Sequence, residues 1–289
     1  MQYTTNYFRR IDNERVECLL CPHHCKMTEG KTGICRSRKN VGGNLVSEVY
    51  GHPCALAVDP VEKKPLYHFH PGTKCLSIAC TGCNFRCLNC QNHDISQAAP
   101  SDVRSYDLTP EEVVDICIQQ NCPGIAYTYT EPLTYIEYVI DTARLAHEHG
   151  LWNILVTAGY VCPEPLKDLL PWLDAANIDL KSFSDDIYWK VSRGDLQTVL
   201  DTILAMRDAG VWIELTNLLI PSVNDDMEMI RRMCRWIVDN KLEGAPLHFS
   251  RFFPQYRMRN LSPTPIATLK KAKQIAIEEG IRHVYLGNV

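Results

Sequence analysis

Three cysteines stand on one short stretch, Cys83-Asn84-Phe85-Arg86-Cys87-Leu88-Asn89-Cys90, in the spacing C-x3-C-x2-C. Thiolates are the usual ligands of iron–sulfur clusters, and a 4Fe–4S cube ordinarily takes four of them. Three on one loop leave one iron free for another ligand. Cys80, three residues upstream, supports a different reading. Four cysteines in one segment could close a zinc site or an electron-transfer cluster of ferredoxin type. The cysteines alone leave both open.

A second set, Cys18, Cys21, Cys25 and Cys35, lies near the N-terminus, with Gly30 and Gly33 in the turn before the last of them. Four thiolates suit tetrahedral zinc or a fully ligated 4Fe–4S cluster, and neither leaves an open position. The segment has few apolar residues, so a metal is expected to order it. The first ten residues are polar and do not read as a signal peptide, which argues against disulfides and for a cytoplasmic chain. The six other cysteines of the fourteen (Cys54, Cys75, Cys117, Cys122, Cys162 and Cys234) are scattered and read mostly as small buried hydrophobes.

The elements that must position these groups follow from hydrophobic periodicity. Residues 1–72, rich in Cys, Gly and Lys, read as a small irregular metal-binding segment, and residues 73–289 as the main domain. Strands are predicted at Leu76–Ala79, Gly124–Tyr129, Asn153–Thr157, Ala176–Leu180, Trp212–Ile220 and Pro246–Ser250, with His283–Tyr285 as a final edge strand. Helices are predicted from Thr109-Pro110-Glu111-Glu112, a capping box with Pro in the first turn, and at Leu133–His149, Leu196–Ala209, Asp226–Asn240 and Pro265–Glu279. Alternation of this kind means parallel βαβ units. Six units fall short of the eight of a complete barrel, so the expected fold is α/β, a partial (β/α)6 TIM-like barrel, with a doubly wound sheet as the alternative. A net charge of −4 gives no basic footprint for nucleic acid, and no apolar run approaches a membrane span, so neither nucleic acid nor membrane is an expected partner.

The stretches Gly82–Cys87 and Cys90-Gln91-Asn92 resemble the radical S-adenosylmethionine (radical SAM) superfamily, in its pyruvate formate-lyase-activating branch. Five further segments resemble the AmmeMemoRadiSam system radical enzymes: Cys18–Cys25, Glu62–Phe69, Tyr127–Pro132, Asn177–Lys181 and Tyr285–Val289. The resemblance implies a 4Fe–4S cluster on Cys83, Cys87 and Cys90 whose open iron chelates S-adenosylmethionine. It implies reductive cleavage to a 5′-deoxyadenosyl radical that abstracts hydrogen from a substrate. It also implies an electron donor of flavodoxin or ferredoxin type, and partners that are Memo-like and AMMECR-like proteins or a glycyl radical enzyme. A glycyl-radical activase is the alternative activity, and a non-catalytic iron–sulfur or zinc carrier the alternative class.

The polar segments fall at the C-terminal ends of predicted strands, the rim where barrels and open parallel sheets build their sites. There the resemblance implies that Thr130-Glu131-Pro132 binds the methionyl amino group, Asp179 the ribose and Lys181 the methionyl carboxylate. Thr216 and His248 lie late in their strands, and His248 resembles a residue contacting the nucleoside; a hydrogen-bonded core histidine is the other reading. Asn89 stands where the superfamily usually has an aromatic residue against adenine. Thr130 replaces a Gly, and Glu214 stands about where the activating-enzyme branch has an Arg. His68, His70 and His93 read as structural, and Asp225 and Asp226 as a helix start.

Overall fold

The computed structural model describes residues 3–289. The N-terminal segment, expected to be irregular, is built of short strands: β1 (Tyr3–Thr4), β2 (Phe8–Arg10), β3 (Arg15–Cys18), β4 (Lys26–Thr28), β5 (Arg38–Val41) and β6 (Asn44–Ser47). They form two antiparallel three-stranded sheets, ordered β1-β6-β5 and β2-β3-β4. At two to four residues each, such strands are too short to show a periodicity.

The main sheet has eight strands in strictly sequential order. β7 (Pro53–Pro60) pairs antiparallel with β8 (Lys74–Cys80). From β8 onward every pairing is parallel, through β9 (Gly124–Tyr127), β10 (Trp152–Thr157), β11 (Ala175–Asp179), β12 (Trp212–Leu219), β13 (Leu247–Arg251) and β14 (Val284–Gly287). Helices α1 (His93–Ser96), α2 (Pro110–Gln119), α3 (Ile136–Glu148), α4 (Pro163–Leu169), α5 (Asp185–Ile187), α6 (Leu196–Asp208), α7 (Met227–Asp239) and α8 (Ile266–Glu278) fill the crossovers. The Thr109/Glu112 capping box starts α2, and the Asp226 carboxylate caps α7 through Met229 N at 2.7 Å. This is the expected partial barrel, with β14 as its added edge strand.

Side chains alternate across each strand. Ile125, Leu155 and Ala176 pack in the main core, whereas Ala126, Ile154 and Ala175 face the other way into a separate small cluster with Val61, Leu66 and Cys75. The β7–β8 connection therefore plugs the N-terminal end of the barrel. Glu214 fixes it there: this fully buried carboxylate accepts from Tyr67 N at 2.9 Å, His68 N at 2.8 Å and His248 Nε2 at 2.7 Å. Asn177 Nδ2 donates to Pro65 O at 2.8 Å from the neighbouring strand. Two residues further along the same face, the strands reach the polar rim.

Candidate active site

The rim encloses a cavity of about 580 Å³, lined by Cys83, Cys87, Cys90, Asn89, Thr130, Glu131, Asp179, Lys181 and Thr216 among others. Each strand places its residue by register: Asp179 on β11 is level with Thr216 on β12, which is level with His248 on β13. His248 is the exception among the expected residues. It is 2% exposed and bonded to Glu214, with Tyr67 against its ring, and does not line the cavity.

The cysteine loop follows β8 directly, and its shape is held from outside. Gly82 has φ of +111°, and a Cβ there would lie 2.4 Å from the Cys35 carbonyl, so only glycine fits. Phe85 is fully buried, and a Cβ on Gly194 would meet its ring at 2.4 Å. After α5 a π-helical turn over Tyr188–Ser192 grips the loop: Arg86 N donates to Ser192 O at 2.8 Å and Leu88 N to Val191 O at 3.0 Å. The sulfurs have polar neighbours too. Cys87 Sγ lies 3.3 Å from Ser192 Oγ, Cys90 Sγ lies 3.0 Å from Ser96 Oγ, and Phe85 N donates to Cys83 Sγ at 3.3 Å.

Burial pushes the Cys83 thiol well above its ordinary value, and the Glu131 carboxylate adds to this. Burial also raises Cys87, against the opposing pull of Lys181 and the Ser192 hydroxyl. Such sulfurs stay protonated until a metal cation displaces the proton. Three soft ligands from one loop, at one side of a cavity with room beyond them, fit a 4Fe–4S cluster with one iron left for a second ligand. Cys80 is not part of this set; it is buried at the end of β8 beside Cys54 and Tyr135, away from the cavity.

At the end of β11, near Cys87, Lys181 Nζ bonds Asp179 Oδ2 at 2.8 Å, and Tyr188 Oη accepts from Lys181 N at 3.0 Å. Burial pushes Lys181 down, but Asp179 and the nearby Cys87 outweigh it and hold the ammonium above its ordinary value. Glu131 accepts from Thr157 Oγ1 at 2.6 Å, Ala158 N at 2.8 Å and Leu133 N at 3.2 Å, so it ties the ends of β9 and β10 together. Burial raises its carboxyl in spite of these donors. Thr130 Oγ1 donates to Cys80 O at 2.7 Å, and Tyr129, with φ of +64°, accepts at its carbonyl from Asn92 Nδ2 at 2.7 Å. Tyr188, Ser192 and Ser96 were not singled out from the sequence. Only Gly194, next to Arg193 with φ of +62°, marks a turn there.

Cys18, Cys21, Cys25 and Cys35 also come together. All four line a small enclosed cavity beside the main one, with Met27, Arg38, Asn84 and Thr134, and none forms a disulfide. Among the described residues no three His, Cys, Asp or Glu side chains converge on one ion-sized point. That is as true of Cys83, Cys87 and Cys90 as of the N-terminal four.

A three-thiolate loop at the C-terminal rim of a partial barrel, facing a cofactor-sized cavity, has the ligand set that suits an iron–sulfur cluster with one open position. Residues 77–234 match the radical SAM superfamily, and the chain belongs to it. It is 46% identical over 283 residues to an uncharacterized protein of Methanocaldococcus jannaschii, covering 98% of this chain and 84% of that one. The pyruvate formate-lyase-activating enzyme of Clostridium pasteurianum is 24% identical over 219 residues, 70% of this chain and 88% of the enzyme. The fold resembles a domain of pyruvate-formate lyase-activating enzyme from Bacteroides vulgatus, with a TM-score of 0.51 at 17% identity over 57% of this chain and 99% of that domain. It also resembles Streptococcus suis SuiB bound to S-adenosylmethionine, with a TM-score of 0.56 at 10% identity over 71% and 48% of the two chains. No described helix is long and apolar enough to cross a membrane.

Proposed function

We propose that this chain reductively cleaves S-adenosylmethionine at a cluster held by Cys83, Cys87 and Cys90, and uses the radical to abstract hydrogen from a substrate. When bound, the cluster and S-adenosylmethionine supply the electron transfer that breaks a carbon–sulfur bond. The chain's own residues do the rest. Lys181, near Cys87 on the cavity wall, offers an ammonium to a carboxylate, and Asp179 offers a carboxylate to hydroxyl donors. Glu131 braces the rim at the ends of β9 and β10, and the plug beneath β9–β12 closes the far end of the barrel. The carrying observation is that three cysteines face an open cavity while Cys80, the one candidate for a fourth ligand nearby, is buried elsewhere. A closed four-thiolate carrier would need that fourth ligand.

The motif resemblance supports placement in the AmmeMemoRadiSam system, with Memo-like and AMMECR-like partners and an electron donor of flavodoxin or ferredoxin type. Similarity to the Clostridium pasteurianum enzyme supports a second reading, in which the hydrogen is taken from a partner protein to install a glycyl radical. Incubating the reconstituted enzyme with each candidate partner and recording the glycyl-radical signal separates the two. A signal with one partner favours the activase, and deuterium transfer into 5′-deoxyadenosine from a small substrate favours the first reading.

A further inference from the structure

The four N-terminal cysteines bring a second concentration of metal-ligating side chains into a single cavity. Cys18 ends β3, Cys21 and Cys25 lie in the β3–β4 connection, and Cys35 lies in the turn before β5. Cys18 N donates to Cys25 O at 3.0 Å, and His24 N donates to Cys21 O at 3.1 Å. The sulfurs surround the cavity rather than touching one another as disulfides, as the three catalytic-loop sulfurs do in theirs. Arg38, fully buried, lines the same cavity; its guanidinium bonds the Glu137 carboxylate and donates from Nε to Thr134 O at 3.1 Å. Its charge is already matched by Glu137, so what it adds to the cavity wall is a rigid, buried support from α3 rather than a free cation.

The wall of this cavity is also the outer support of the catalytic loop. His23 Nε2 donates to Asn84 O at 2.8 Å, so the residue after Cys83 hangs on the residue two after Cys21. Arg86 NH2 donates to Ile34 O at 2.7 Å, one residue before Cys35. The Cys35 carbonyl itself packs on Gly82, one residue before Cys83. Asn84 lines the second cavity, is 1% exposed, and its Oδ1 has no partner. The two cysteine sets are thus joined by contacts to Gly82, Asn84 and Arg86, all adjacent to cluster-holding positions.

We propose that Cys18, Cys21, Cys25 and Cys35 hold a second, fully thiolate-ligated metal centre, and that this centre braces the loop that carries the catalytic cluster. The ligand chemistry, four soft thiolates with no open position, serves either a 4Fe–4S cube or a zinc ion. The bracing role rests on the function proposed above; the metal site does not.

The test begins with the Cys83→Ala/Cys87→Ala/Cys90→Ala variant, purified without oxygen and analysed for metal and sulfide. We expect about four irons with four sulfides per chain, or about one zinc; the first identifies a cluster and the second an ion. Metal-free protein whose four N-terminal thiols react freely with an alkylating reagent overturns the site. The bracing is tested in two variants that keep the catalytic cysteines. His23→Ala should keep the second metal, and Cys25→Ala, at the half-buried ligand, should release it. Both should lose catalytic-cluster iron to a chelator several-fold faster than the unaltered protein, with a changed cluster spectrum on adding S-adenosylmethionine. Wild-type rates and spectra in both variants overturn the brace. Absence of 5′-deoxyadenosine from the unaltered protein would sink the proposed function and leave the metal count of the triple variant untouched.

Discussion

Replacing Lys181 and Asp179 separately and together probes the cofactor side of the cavity most finely. Their side chains pair at 2.8 Å but are 28% and 40% exposed, so the pair itself contributes only about 0–1 kcal/mol to the fold. Either variant should therefore fold and hold iron. Lys181→Ala removes a charge-assisted contact to the ligand's carboxylate, about 1.5–3 kcal/mol, or roughly one to two decades of affinity for S-adenosylmethionine. Asp179→Ala removes a hydroxyl contact but frees Lys181 from its partner, so the ammonium meets the ligand carboxylate without competition. Its loss should be the smaller of the two. Because each single variant also relieves the competition between the paired residues, and the double variant gains that relief only once, the double variant should lose more than the sum of the single losses. Equilibrium binding of S-adenosylmethionine to the reconstituted proteins, normalised to iron content, measures all three. Wild-type affinity in Lys181→Ala, or strict additivity in the double variant, would refute the placement of the ligand across this pair.

Cys80→Ala should keep the cluster and the cleavage of S-adenosylmethionine, because its thiol packs in the core; loss of iron in a folded variant contradicts this. Glu214→Ala strands two backbone N–H groups and the His248 ring, and should cost about 3–5 kcal/mol, as removing one partner of a buried charged network does. Urea unfolding measures it, and a loss under about 1 kcal/mol contradicts the plug's anchoring role. Burial would raise Glu137, but Arg38 beside it wins and holds its carboxyl below the ordinary 4.5. A depressed carboxylate stabilises the fold fully above about that pH and loses its contribution as pH falls through the lowered folded value. Acid unfolding followed by circular dichroism should therefore be flatter below pH 4.5 in Glu137→Gln than in the unaltered protein; parallel curves contradict it.

Long periodic segments were legible. All six main strands and all five helices start or stop within two or three residues of where alternation and capping put them, since Thr109, Asp226 and the positive-φ glycines Gly150, Gly210 and Gly280 set several of those ends locally. The common placement of the cysteine loop, Asp179 and Lys181 around one cavity was legible because the C-terminal ends of parallel barrel strands meet at one rim. Helix α4 was not: it is only seven residues long and carries Pro163 and Pro165, although both sit in its first turn, where a missing N–H costs nothing. β7, with Pro at both ends and mostly half-buried residues, shows no clean alternation, and its pairing comes from β8. The bond between Glu214 and residues 67 and 68 spans about half the chain, and nothing local at either end announces it. The Tyr188–Ser192 turn is invisible for the same reason, as its meaning lies in the backbone bonds it makes to Arg86 and Leu88.

The central claim is that three cysteines, and no fourth, hold a cluster able to cleave S-adenosylmethionine. The direct measurement incubates anaerobically reconstituted protein with dithionite and S-adenosylmethionine and quantifies 5′-deoxyadenosine and methionine. The account predicts both products from the unaltered protein and from Cys80→Ala, and neither from Cys83→Ala, Cys87→Ala or Cys90→Ala. Product formation that survives removal of any of those three, or an iron-loaded unaltered protein that makes no 5′-deoxyadenosine, would contradict it.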